Sequence, residues 1–417
     1  MRKASDAFYA GDVVTAMQEL EKQSAKRPSE QDVLNLDLAV AQLFSGHPQE
    51  AEQTLRTVRD RFDYLEQTNV AESTWSMFTD DNRRAYAGED YEKLLIRVML
   101  ALANLAGDGE DAEAYSLQVN AKQQQIINSG KDPDGTNPKL AYQRVALGAY
   151  LRGILREETH GNYDDVERSF AKVVSWQPDF RPASRDLERA RRGVHSAPGN
   201  GVLHVIACVG RGPYKREVRE IPTSGALLIA DRILSAVGDH SLPPTVAAIK
   251  VPQVVVFQNE IQHVAVNVDG NPIGVTATIT DVGQLAVQQY EAVYPYVIAR
   301  AVSRRALKKA AIYAAKTQLH HDSGWVDLAM NVAGVAWEAT ESADTRCWSM
   351  LPDTVQVLRI ELPAGQHLVT LQAARRGFLL GPESAVAIHI EDGRNTYALA
   401  NFPGTRIAGQ ILVSGRP

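Results

Sequence analysis

Six cations on one stretch of helix are the densest chemistry-bearing feature of this sequence. Arg300, Arg304, Arg305, Lys308, Lys309 and Lys316 fall within residues 296–316, and no acidic residue occurs between Glu291 and Asp322. At about 100° per residue the six cover roughly half of the helix circumference, and Val302, Ala306, Ala310, Tyr313 and Ala314 take the other side. Such a face suits docking on an anionic surface: phospholipid headgroups, a glycan or an acidic protein partner. The competing reading is a solvated helix paired with acids elsewhere in the chain. The mostly alanine apolar face, which lacks large residues to insert into a membrane, favours that plainer reading.

Other reactive residue types occur without the spacing their chemistry needs. Adjacent histidines in His320-His321-Asp322 point about 100° apart on a helix and do not readily share one ion, so a surface loop is expected. Gly210-Arg211-Gly212-Pro213, with Lys215 and Arg216, has the composition of a phosphate loop. It lacks the G-x-x-x-x-G-K-[ST] spacing and reads as a turn between strands. No G-x-S-x-G occurs, and no histidine setting connects with a serine or cysteine. The acidic pairs Asp80-Asp81, Glu157-Glu158 and Asp164-Asp165 fall in helical segments at caps or exposed faces, where stabilisation of helix starts accounts for some of them. Cys208 and Cys347 have neither zinc nor redox spacing. They read as two buried thiols, with a single disulfide as the alternative in an oxidising compartment. No catalytic, cofactor-binding or metal-ligating residue is assigned, and a non-enzyme is expected, with a hydrolase as the outside reading.

The elements that would position such residues change character midway. The chain has 417 residues, 44% hydrophobic and 23% charged, enough for two or three domains with proper cores. A net charge of −6 gives no overall cationic surface to drive nucleic-acid binding. No apolar run approaches the length needed to cross a bilayer. The start, Met1-Arg2-Lys3-Ala4-Ser5-Asp6, lacks an apolar signal region, which leaves a cytoplasmic protein or an exported one whose signal was removed or lies upstream.

Through residue 195 the apolar pattern is helical. Gly11, Gly46, Gly107 and Gly161 each precede by five residues a small or β-branched residue (Ala16, Ala51, Ala112, Val166), followed four later by Leu20, Leu55, Ser116 and Phe170. A turn glycine and then a small contact residue is how the second helix of a helical-hairpin repeat begins, and such stacks generally hold partners. Gly11 and Gly46 lie 35 residues apart, one tetratricopeptide-type unit. Later units are irregular, and residues 182–192 read as a polar cap on the stack.

Residues 196–201, Ser-Ala-Pro-Gly-Asn-Gly, mark a boundary, after which the period becomes two. Strands are expected at 202–207, 254–257, 262–268, 355–360, 367–371 and in three short runs near 385–390, 396–401 and 411–413. A hairpin through Leu362-Pro363-Ala364-Gly365-Gln366 joins two of them, of a kind that resembles turns in small surface-associated β-sandwich modules. A helical pair, 282–316 and 325–340, interrupts the strands.

Three segments together resemble a bacterial family of uncharacterised envelope proteins, many described as lipoproteins, with helical repeats before a β-rich domain. They are residues 81–94, residues 295–304, and the most specific, Asp344-Thr345-Arg346-Cys347-Trp348-Ser349-Met350-Leu351-Pro352, a D-T-R-x-W-x-x-L-P motif. The resemblance implies architecture and an envelope location, periplasmic or outer-membrane associated, rather than an activity. Neither cysteine lies near the start, so a lipid anchor does not carry over. In the third segment Asp344 and Arg346 can pair beside Trp348, fixing the crossing from the helical insertion into the next strand. The alternative is a partner-binding corner, since Trp and Arg are favoured interface anchors.

The sequence therefore predicts an α+β multidomain protein. A tetratricopeptide-like α-solenoid occupies residues 1–195, and a β-sandwich-like domain occupies 196–417 with its helical insertion at about 282–342. The expected function is that of a non-enzymatic envelope scaffold whose solenoid groove grips a protein partner. The alternative is an anionic-surface binder acting through residues 296–316.

Overall fold

The computed structural model describes residues 2–71, 85–130, 137–237, 248–318 and 342–414. The fold is α+β. In the first half, α1 (Arg2–Tyr9), α2 (Val13–Lys26), α3 (Gln31–Phe44), α4 (Pro48–Ala71), α5 (Asp90–Ala106), α6 (Ala112–Asn128), α7 (Leu147–Glu157), α8 (Tyr163–Trp176) and α9 (Pro182–Arg191) follow one another. Each packs on its neighbour in sequence. Asp12 starts α2 by accepting the Thr15 N–H at 3.0 Å. The small contact residues Ala16, Ala51, Ala112 and Val166 are all 0% exposed.

The turn glycines work less uniformly. Gly11 and Gly46 have φ of +91° and +94°, conformations that favour glycine. In the other two turns the left-handed residues are Gly109 at +79°, and His160 and Asn162 at +53° and +54°.

The helices form two layers. α2 and α8 bury a single stripe each, as amphipathic outer helices do. By contrast α5 is buried along its whole length from Tyr91 to Leu105, and α3 and α7 nearly so. A helix that is apolar all round needs cover on both sides, and the cover on the inner side is a β-sheet of the same chain.

The strands are β1 (Asn200–Val209), β2 (Tyr214–Glu220), β3 (Ile249–Val255), β4 (His263–Val268), β5 (Asn271–Val275), β6 (Ala277–Asp281), β7 (Thr354–Pro363), β8 (Gly365–Arg375), β9 (Phe378–Ile390), β10 (Asn395–Phe402) and β11 (Leu412–Val413). A five-stranded sheet runs β11-β10-β1-β7-β6 and a four-stranded sheet runs β5-β4-β8-β9. Strand β1 is parallel to β10 (Val205 opposite Ala398) and antiparallel to β7 (Val205 opposite Leu358).

Alternation divides β1 between two cores. Leu203, Val205, Ala207 and Val209 join Val264, Val369, Ile388 and Phe402 between the two sheets. Ile206 and Cys208 join the helical core, together with Val355, Val357 and Leu399. His204, on that same helical side, stacks on Tyr397 at 5.5 Å and meets Tyr150 of α7 edge-on at 6.3 Å. The inner wall of the helical stack is thus filled by the protein's own sheet.

The hairpin expected through residues 362–366 is instead a crossing. Strand β7 belongs to the five-stranded sheet and β8 to the four-stranded one, and the link is tied down by the Ala364 N–H on Gly199 O at 2.9 Å.

A third unit has its own core. The pair β2–β3 packs with α10 (Ser224–Val237) and α11 (Val282–Gln318) around Ala226, Ala230, Ile249, Val251, Ile298 and Val302. The partner of α11 among the described residues is therefore α10, a helix the strand-like reading of this region passes over. The expected helix at 325–340 and His320-His321-Asp322 lie outside the described residues, as do Asp80-Asp81.

Candidate binding site at the junction of the three units

Residues 343–351 lie extended against the inner helices, and two buried carboxylates hold them. Asp37, in the middle of α3, accepts the Met350 N–H at 2.9 Å and the Ser349 hydroxyl at 2.6 Å. Glu92, in the first turn of α5, accepts the Trp348 N–H at 2.7 Å and the Glu89 N–H at 3.0 Å, and the Tyr86 hydroxyl also donates to it. Tyr9 of α1 donates to the Ser349 carbonyl. The Trp348 side chain is 0% exposed. Arg346 donates two hydrogen bonds to the Asp344 carboxylate, at 2.9 and 2.7 Å, and its guanidinium lies 5.3 Å from the Tyr86 ring centroid.

Burial sets the electrostatics here. It pushes the Asp37 carboxyl up to about 7, with the bonds from Ser349 and Met350 pulling it back. Burial likewise raises Glu92; the Glu89 charge adds to the rise and Lys215 opposes it. Burial works against the charge of Lys215, but Glu89, Glu92 and Asp344 more than offset it, so the ammonium is held. Both Asp37 and Glu92 accept from fixed donors. That arrangement anchors a chain segment.

Beside this clasp opens a cavity of about 350 Å³ where α5, β2–β3, α11 and Asp344 meet. Its charged wall is largely paired: Lys139 with Asp90 at 2.7 Å, Lys215 with Glu89, and Asp344 with Arg346. Tyr142 donates to Asp90 at 3.1 Å and Tyr290 to the Pro252 carbonyl. Gln289 and Arg300 complete the wall with Ala286, Val293 and Val297 of α11.

A second cavity, of about 470 Å³, lies between the α5–α6 turn and the β9–β10 edge. There Arg394 pairs with Glu158 at 3.3 Å, Asp108 accepts from Asn104 at 2.8 Å, and Gln366 meets His389 at 3.3 Å.

The structure separates the predicted site residues. Arg300 is exposed at the junction cavity, but Arg304 is buried at 8% exposure and Arg305 donates to the Ala248 carbonyl at 3.0 Å. Packing on α10 and β3 therefore takes Arg304 out of the cationic face expected on residues 296–316 and ties down Arg305, while the side chain of Lys316 lies outside the described residues. The side chains of Lys308 and Lys309 lie outside the described residues. Asp344, Arg346 and Trp348 do come together, yet the buried Trp348 ring offers no surface to a partner. Glu157, expected at a cap or exposed face, is 1% exposed and accepts Arg189 Nε and Nη2 at 2.7 and 2.9 Å. Cys208 and Cys347 are both free and buried, and burial pushes each thiol up to about 12. Among the described residues no group of three or more His, Cys, Asp or Glu is placed to hold a metal, and no helix is long and apolar enough to cross a membrane.

Asp37, Glu92 and Gln289 escaped the sequence reading as site residues, and Lys215 entered it only beside the turn at residues 210–213. A signal existed for the first two: each is an acid set within a strongly apolar helical run, where an unpaired charge is costly. Gln289 carries no such signal. Compared with known proteins, the chain matches no family model, no curated protein and no solved structure.

Proposed function

We propose that the chain is a non-enzymatic scaffold or adaptor of the bacterial cell envelope. In this reading a tetratricopeptide-like α-solenoid wraps its own β-sandwich-like domain and holds a protein partner. The observation that carries it is the clasp: α3 and α5 grip an extended segment through its backbone N–H groups, which is peptide recognition turned inward. With the inner wall taken by the chain's own sheet, this reading places the partner on the outer helices and at the junction cavity. Val14 on α2 and Leu117 on α6 are apolar residues standing 58% and 39% exposed on that outer layer.

Photo-crosslinking residues placed at Val14, Leu117 and Lys172 of the full chain in its native cells test the reading. A discrete adduct, recovered with the envelope fraction and lost on charge substitution of neighbouring exposed residues, is the expected result. Absence of any adduct from all three positions counts against a scaffold, and recovery of the protein wholly in the cytosol removes the envelope location.

A further inference from the structure

We infer that the junction cavity is a binding site for the C-terminal end of a peptide, with its α-carboxylate on Arg300 and its backbone amide groups on Gln289. The inference starts from what the cavity wall leaves unsatisfied. Three acids on the wall are matched by three cations, and both hydroxyls of Tyr142 and Tyr290 are engaged. Two polar side chains remain. Gln289 is 4% exposed, and both its amide oxygen and its amide nitrogen are buried without a hydrogen-bond partner. Arg300 is exposed and has no ion-pair partner among the described residues.

A buried amide that makes no bond carries a desolvation cost that no partner offsets, and no hydrogen bond fixes its orientation. Turning it into the cavity to meet a ligand recovers that cost. A carboxamide donates and accepts side by side, which matches the N–H and C=O that one residue of an extended peptide presents along one edge. Arg300 adds a planar cation suited to a carboxylate.

The spacing fits the same ligand. Gln289 and Arg300 both line the cavity, eleven positions apart on α11 and on either side of Pro295, about 16 Å at 1.5 Å rise per residue. About five extended residues bridge that distance. Between the two polar ends Val293 and Val297 present an apolar floor, beside Tyr290. The volume lies in the range of about 300–1,000 Å³ usual for ligand sites. With the other wall charges paired, the site has one uncompensated positive charge, so a single carboxylate is favoured over a polyanion.

This deepens the adaptor reading and rests on it for where a peptide end would come from. The test uses the full chain against two surfaces carrying random pentapeptides tethered through their N-termini, one set ending in free carboxylates and the other in carboxamides. Binding to the free-acid surface is expected to be about tenfold tighter, and Arg300→Ala should erase that preference. Gln289→Leu should weaken binding to both surfaces, yet raise the melting temperature of the free protein, because it removes two unsatisfied buried atoms. Equal binding to both surfaces, no binding to either, a preference that survives Arg300→Ala, or a lowered melting temperature for Gln289→Leu would each overturn the inference. Because the crosslinks at Val14, Leu117 and Lys172 sit on the outer helices, their presence with no peptide binding would remove the cavity and keep the scaffold. Peptide binding without crosslinks would do the reverse.

Discussion

Glu92 of α5 accepts the backbone N–H of Trp348, 256 residues further along the chain, at 2.7 Å in a fully buried site. The bond ties the first turn of an inner helix to the segment that leads into β7. Glu92 also accepts from the Glu89 N–H, the Tyr86 hydroxyl and, at 3.4 Å, the Tyr91 hydroxyl, so its two oxygens meet four donors and no acceptor.

Glu92→Gln should therefore be destabilising although it keeps the shape. The introduced NH₂ meets donors, leaving buried N–H or O–H groups unpaired at a cost of about 1–3 kcal/mol. Urea unfolding of the full chain measures this, and a change within experimental error would contradict the role assigned to the carboxylate.

Asp37 makes a prediction about pH. Its carboxyl is raised from an ordinary 3.8 to about 7 in the fold, chiefly by burial. The folded protein therefore binds this proton more tightly than the unfolded chain. The contribution is fully present below about pH 4 and is lost as pH rises to about 7. Asp37→Asn can keep both bonds, accepting from Met350 N–H and donating to the Ser349 hydroxyl, without titrating. Relative to wild type, Asp37→Asn should be closer to neutral at pH 5 and more stabilising at pH 8. Parallel denaturation curves at the two pH values decide it; a constant difference would show that Asp37 does not titrate in this range.

Gly409 joins the C-terminal loop to the end of α3. Its φ is +76°, and a Cβ there would fall 1.9 Å from the Phe44 carbonyl oxygen, the same oxygen that accepts the Gln410 N–H at 3.0 Å. Gly409→Ala should cost about 1–3 kcal/mol through strain and loss of that bond. Gly404→Ala, with nothing within 4 Å of its Cβ, should change stability by less than about 0.5 kcal/mol. Similar melting temperatures for the two variants would be the wrong outcome.

Arg300 and Arg304 separate by burial, though both belong to the cationic run of α11. Arg304→Glu places a reversed charge at a site 8% exposed and should destabilise by more than about 2 kcal/mol. Arg300→Glu, at an exposed position, should stay within about 0.5 kcal/mol. Thermal melts compare them directly, and equal effects would return Arg304 to a solvated face.

Local physics was readable in the residues themselves. The small residue five positions after each turn glycine must sit where two helices touch, and Ala16, Ala51, Ala112 and Val166 are indeed shut off from solvent. The alternation of residues 202–209 announces a strand with two apolar faces, because side chains alternate with a period of two. The α+β composition and the start of α11 at Val282 follow from the same periodicities.

What the chain's order could not disclose is which distant surface each face meets. Strand β1 pairs in parallel with β10, nearly two hundred residues away, and no local pattern encodes such a register. Consecutive strands β7 and β8 were free to pair or to part between sheets. Their separation is decided by the two cores that claim them. The apolar inner helices advertised a face in need of cover, and only the folded molecule reveals that its own five-stranded sheet supplies it. Likewise Gln289 and Arg300 share one face of α11, on either side of Pro295. That the face fronts a cavity, with every neighbouring charge already matched, is a property of three units meeting in space.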